Sequence, residues 1–200
     1  MPLHISRSNS KLGSQIPSVN LPAGSTCRPD APCREKCYAL KGRFRFRNVR
    51  NAAVDNLTLW DTLPDVYEIN IICGIYGSKY FRWHSSGDIP DVAYLDMMFR
   101  VARKLPDTKF LCFSKKYELI NEKLNTEPCP VNLTLVLSSW GCFVPENPHN
   151  LPVAYVRFKD SNTLIPDNAY HCTTHCGNCV KTEHSCWELS HGESVFFDEH

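Results

Sequence analysis

The period of the apolar residues changes several times along the chain, and each change marks an element. Residues 1–26 are mostly polar, include Pro17, Pro22 and Gly24, and follow neither a helical nor a strand period. They read as an extended arm. Val49, Ala52, Ala53, Leu57 and Trp60 then recur at helical steps and predict a helix with one buried stripe. Pro64 ends that helix or starts the next, and the apolar stretch 66–75 suits helix or strand, with helix preferred. Residues 79–84 (Lys-Tyr-Phe-Arg-Trp-His) are aromatic-rich and bounded by Gly77-Ser78 and Ser85-Ser86-Gly87, which predicts a strand. Val92, Leu95, Phe99 and Ala102 return to helical spacing. A second strand is expected at 109–113, a helix around 117–124, a third strand at 132–137 and a fourth at 152–158. Val195-Phe196-Phe197 closes the patterned chain.

Strand, helix, strand, helix, strand is the order of an α/β fold, a parallel sheet joined by helical crossovers. Its strands should be apolar along their length because both faces are covered, and Leu133 to Leu137 fit. Ligands in such folds sit beyond the carboxyl ends of the strands. Those ends carry the polar residues Ser85-Ser86-Gly87-Asp88, Ser114-Lys115-Lys116 and Ser138-Ser139. Two hundred residues suit one domain, here an arm and cysteine loop (1–40), an α/β core (41–165) and a C-terminal cysteine segment (166–200).

Cysteine content changes the picture most. Of eleven cysteines, Cys27, Cys33 and Cys37 form C-x5-C-x3-C, and Cys172, Cys176, Cys179 and Cys186 form C-x3-C-x2-C-x6-C. Thiolate is a soft ligand that selects zinc, cuprous copper or iron–sulfur clusters. Disulfides are the competing explanation. No apolar run of signal-peptide length opens the chain, and an odd count leaves one thiol over in a full pairing scheme. A reduced, cytoplasmic metalloprotein is therefore expected. No stretch approaches the ~18 apolar residues of a membrane span.

Three cysteines in one loop can each bind one iron of a [4Fe-4S] cluster and leave the fourth iron open, for instance to the amino and carboxylate groups of S-adenosylmethionine; a zinc loop is the alternative. The four C-terminal cysteines make a full set for zinc or for a second [4Fe-4S] cluster, and ferredoxin-like spacing favours the latter. His171, His175 and His184 lie among them and are expected to stay outside the ligand set. Cys73 and Cys112 sit in apolar runs and are expected to be buried hydrophobes. Cys129 and Cys142 have no partner spacing. Asp88 precedes a helix start and is a candidate N-cap as well as a ligand contact. Strand alternation sends Tyr80, Arg82 and His84 to one side and Phe81 and Trp83 to the other.

Net charge is +1, so no global field steers a polyanion toward the protein. Residues 41–50 nevertheless hold Lys41, Arg43, Arg45, Arg47 and Arg50 with Phe44 and Phe46 interleaved. Such a run suits either nucleic acid or a solvated helix entrance, and the absence of a second patch favours the latter.

Cys27…Cys33…Cys37-Tyr38-Ala39, then residues 80–88 (Tyr-Phe-Arg-Trp-His-Ser-Ser-Gly-Asp), then Cys176-Gly177-Asn178-Cys179…Cys186-Trp187 occur in that order. Together they resemble the gene product 88 family of phage proteins over nearly the whole chain. That family is itself similar to radical S-adenosylmethionine proteins, whose fold is a partial (βα) barrel. The resemblance implies that Cys27, Cys33 and Cys37 hold the cluster and that Gly87 and Asp88 meet the cosubstrate amine. Ser114, Lys115 and Ser138 become contacts from later strand ends, and an electron donor becomes a partner. The chain departs from the usual radical-enzyme pattern. Its cysteine spacing is wider than C-x3-C-x2-C, its aromatic residue follows the last cysteine, and no evident strand precedes Cys27. Two functions remain in view. One is a phage-encoded redox or radical enzyme of unknown substrate. The other is a non-catalytic, metal-stabilised protein that binds a host protein or nucleic acid.

Overall fold

The computed structural model describes residues 2–7, 9–159, 164–172, 175–182 and 185–199. Eight strands form one sheet: β1 (Ile5–Ser6), β2 (Ser18–Val19), β3 (Tyr80–Trp83), β4 (Lys109–Ser114), β5 (Leu133–Ser138), β6 (Val153–Arg157), β7 (Tyr170–His171) and β8 (Ser194–Asp198). Their spatial order is β1-β2-β3-β4-β5-β6-β8-β7. The β1–β2 pair is antiparallel, and the other pairs are parallel. This is the expected α/β sheet, but it is open from β1 to β7 and does not close into a barrel.

The arm differs from expectation. It contributes two strands, and β2 pairs with β3 through Ser18 with Arg82 and Val19 with Trp83. Two residues are too few to show a period, so the pairing is set by the neighbouring strand rather than by local pattern. A parallel strand therefore does precede Cys27.

Helices α1 (Arg47–Thr62), α2 (Pro64–Ile75), α3 (Val92–Lys104) and α4 (Tyr117–Thr126) follow the predicted positions closely. Pro64 resolves the ambiguity between its two roles by serving both. α1 stops at Thr62, and Pro64 opens α2, where its missing N–H costs nothing. Asp91, not Asp88, caps α3: its side chain accepts from the Tyr94 amide at 2.8 Å.

The main core lies between the helices and one sheet face. There Phe81 and Trp83 meet Phe110 and Cys112 of β4, Leu133, Leu135 and Leu137 of β5, and Tyr94, Leu95 and Met98 of α3. The opposite face carries Leu111, Val136, Ala154 and Val195 and is covered by Leu12 and Ile16 of the arm and Cys186 and Trp187 of the C-terminal segment. Helices thus cover one face, while the two chain ends cover the other. Cys112 is fully buried as expected, whereas Cys73 is exposed because it lies on the outer side of α2, which is apolar on both sides.

Candidate functional site

The carboxyl ends of β3, β4 and β5 bring together the residues singled out after each strand. Gly87 turns the chain at φ +80° so tightly that a Cβ there would stand 2.6 Å from the Leu21 carbonyl oxygen. Asp88 follows it into a buried position, where its amide donates to Thr26 Oγ1 at 3.0 Å. Its Oδ1 accepts from Ser114 Oγ at 2.6 Å and from the Ile89 amide at 2.8 Å, and its Oδ2 accepts from the Lys115 amide at 2.9 Å. Lys115 Nζ in turn donates to Ser138 Oγ at 2.8 Å. Burial raises the Asp88 pKa, and the bonds from Ser114, Lys115 and Ile89 with the Lys115 charge pull against it.

The three-cysteine loop is held over these strand ends. Arg28 anchors it by donating to the Lys115 carbonyl at 3.3 Å and to Glu118 at 3.2 Å while lying over the Phe143 ring at 4.9 Å. Lys36 pairs with Glu199, just past β8, at 2.8 Å. The Gly24 amide donates to Cys27 Sγ at 3.5 Å. Burial pushes the Cys27 thiol up, and Asp88, Cys37 and Cys33 push it further. Burial also raises Cys33, while Lys115 lowers it and Cys37 raises it. Cys27 and Cys33 are therefore electrostatic neighbours of each other, of Cys37 and of Asp88, and Cys33 also of Lys115. Tyr38, directly after Cys37, is half-exposed by its ring, yet its hydroxyl reaches the Ser85 carbonyl at 2.6 Å and ties the loop to the turn after β3.

The C-terminal cysteines assemble on the second sheet face. Cys176 and Cys179 begin and end the short helix α5, and Cys186 and Trp187 enter the core beneath β3 to β5. The Trp187 indole N–H donates to the Phe81 carbonyl at 3.0 Å. Burial pushes Cys186 up to about 12, with Cys172, Cys179 and Cys176 adding to the rise. Burial raises Cys176 as well, while Arg82 and then Lys11 lower it. Lys11 Nζ approaches Cys172 Sγ at 3.9 Å. His171 bonds Asp198 at 2.9 Å and stacks on the Phe196 ring, and His184 lies outside the described residues.

Arg82 and His84 part company. Arg82 stays on the second face, 4.1 Å over the Phe113 ring, and its charge works against the burial that raises the pKa of Tyr38, Cys176 and Cys186. His84 has φ +54°, which reverses the expected alternation and turns its ring into the main core beside Tyr94 and Cys112. Sequence reasoning missed Asn20, whose Oδ1 accepts from the amides of Ser85 and Ser86 at 2.8 and 3.1 Å, and Thr26. It also missed Lys11. An Asn or Thr in a proline-rich arm carries no signal that it will brace a loop more than sixty positions away.

Among the described residues, no three His, Cys, Asp or Glu side chains are already grouped as a metal-holding set. The chemistry of the donors fits a thiophilic centre nonetheless. Cys27 and Cys33 are partly buried and Cys186 is buried, and burial with neighbouring sulfurs opposes the ionisation of each, a cost that a bound cation would relieve. No helix among the described residues is long and apolar enough to cross a membrane. Neither the curated proteins nor the solved structures contain a match to the chain. The sequence model of gene product 88 matches residues 3–187, a span that takes in the arm, the α/β core and all seven clustered cysteines, and the chain belongs to that family of phage proteins.

Proposed function

We propose that the protein is an iron–sulfur redox enzyme that binds S-adenosylmethionine at the carboxyl ends of β3, β4 and β5. Cys27, Cys33 and Cys37 would hold a [4Fe-4S] cluster, which when bound supplies an electron to a ligand on its open iron. The observation that carries the proposal is the buried Asp88 carboxylate, braced by Ser114 and the Lys115 amide, with the half-buried Lys115 ammonium on Ser138 beside it and Cys27 and Cys33 within electrostatic reach of Asp88. A carboxylate offers about four lone-pair sites, and Asp88 uses three of them. The remaining one, on Oδ2, is free for an ammonium group. Lys115 Nζ has three donors and spends one on Ser138, so a carboxylate can take the others. An amino-acid zwitterion thus finds one charge partner at each end. Asp88 fixes the amine, Lys115 with Ser138 fixes the carboxylate, and the loop of residues 27–37 shields the site from water. The strand β2 ahead of Cys27 supports the same assignment, because it supplies the parallel neighbour to β3 that a cluster loop follows in radical S-adenosylmethionine enzymes.

The C-terminal set has a different character. Cys179 and Cys186 are buried, and Cys186 belongs to the second core, which favours a structural centre of zinc or iron–sulfur type there. If both sets were structural, the protein would be the non-catalytic alternative.

Anaerobic purification followed by iron, sulfide and zinc analysis tests the metal assignment. Incubation with reductant and S-adenosylmethionine, with detection of 5′-deoxyadenosine, tests the enzyme. Iron with sulfide, and iron content reduced but not abolished in Cys33→Ala, is the expected result. An oxygen-free preparation lacking both metals would overturn the metal centres, and a loaded, reduced protein that leaves S-adenosylmethionine intact would overturn the enzyme.

A further inference from the structure

A groove of about 330 Å³ lies beside the strand-end site, between the arm after β2, the turn after Cys37, the start of α1 and the loop after β3. Asn20, Ala39, Phe44, Arg45, Arg50 and Ser86 line it. Its volume falls at the small end of ligand pockets, roughly 300–1,000 Å³. That is room for one nucleotide-sized group.

Its cations are unusual in what they do not do. Among the described residues, Arg43, Arg45, Arg47 and Arg50 make no ion pair or side-chain hydrogen bond, whereas Arg28, Arg100, Arg103 and Arg157 all pair with carboxylates. All four free arginines are exposed. Two of them, Arg47 and Arg50, stand in the first turn of α1, which contains no acidic residue. The helix macrodipole disfavours cations there, so this placement costs stability rather than adding it. Phe44 lines the groove half-buried, and Phe46 is 58% exposed. Unpaired arginines interleaved with accessible aromatic rings form the pattern that tracks a phosphate backbone and stacks its bases.

We propose that this groove seats one nucleotide of a single-stranded nucleic acid, with Arg45 and Arg50 on the phosphate and Phe44 against the base. Arg43 and Arg47, outside the groove lining, engage the flanking phosphates, which is why a strand suits the surface better than a free nucleotide. The net charge of +1 does not oppose this, since five of the 22 Lys and Arg residues fall within positions 41–50, which hold no acidic residue. The site does not depend on a bound cluster, so its failure would leave the metal content and the strand-end proposal untouched.

Fluorescence anisotropy of the full chain with a labelled oligothymidylate at low salt reads the binding. The plot of log affinity against log salt should steepen by about 0.7 for each phosphate neutralised, so the double variant Arg45→Gln/Arg50→Gln, which gives up the one phosphate they share, should flatten it by about 0.7. Phe44→Ala should weaken binding roughly fivefold or more. Thymidine monophosphate should displace the strand, and inorganic phosphate at the same concentration should not. Circular dichroism of each variant verifies that α1 is kept, and these exposed arginines are not needed for its packing. No binding at low salt, an unchanged slope in the double variant, or equal displacement by inorganic phosphate would overturn the proposal.

Discussion

Acidifying the protein from about pH 7 to about pH 5 should remove close to 2 kcal/mol of stability through one residue, His84. Its ring is 3% exposed, hydrogen-bonded through Nε2 to the Tyr94 hydroxyl at 3.1 Å, and 4.0 Å from Cys112 Sγ. Burial, with the Arg82 charge second, lowers its pKa from 6.5 to about 3. The folded state therefore refuses a proton that the unfolded state accepts. Stability from this residue is complete above about pH 6.5 and falls as pH drops toward about 3, by roughly 1.4 kcal/mol per unit inside that window. Glu68 and Glu127, whose pKa values are lowered from 4.5 by their cationic partners, lose their contributions only below that value, so they barely act in the interval chosen. Urea unfolding of the wild type and of His84→Asn at both pH values isolates the effect. Asn tolerates the left-handed backbone at φ +54°, cannot titrate, and is expected to cost about 1–3 kcal/mol at neutral pH for the lost hydrogen bond and packing. Acid loss of any bound metal should be common to both proteins and cancel in the comparison. An identical decline in stability for wild type and variant would refute the reasoning.

Two further outcomes follow from the strand-end geometry and one from the second core. Gly87→Ala should lower stability by about 2 kcal/mol or more in thermal unfolding, because φ +80° and the Leu21 carbonyl leave no room for a methyl group. Asp88→Asn should keep iron content while equilibrium dialysis shows loss of S-adenosylmethionine binding; retained affinity would remove Asp88 from the site. Cys186→Ala should destabilise the whole chain by several kcal/mol, more than Cys33→Ala does, since only the former sits in a core. Equal losses in urea titration would mean the two sets serve the same purpose.

Much of the fold was legible because the local pattern and the global structure agree. The stripes of α1 and α3, and the apolar runs of β4 and β5, bury the faces their periods predict. Where pattern and structure part, the cause can be named. β1 and β2 are two residues each and are specified by strand pairing. Cys73 is exposed because an apolar helix need not be buried all round. Asp88 proved to be a buried bridge between two strand ends, and the cap lay three residues later at Asp91.

The sequence alone determined the inventory: the α/β order, the two sulfur sets and the polar residues after each strand, since these depend on residue type and spacing. Tertiary structure decided which of them meet. It set the Asp88 carboxylate against Ser114 and Lys115, turned His84 away from Arg82 through one positive φ, and folded both chain ends over the face the helices leave bare. Those outcomes arise from contacts between residues far apart in sequence, and no local period encodes them.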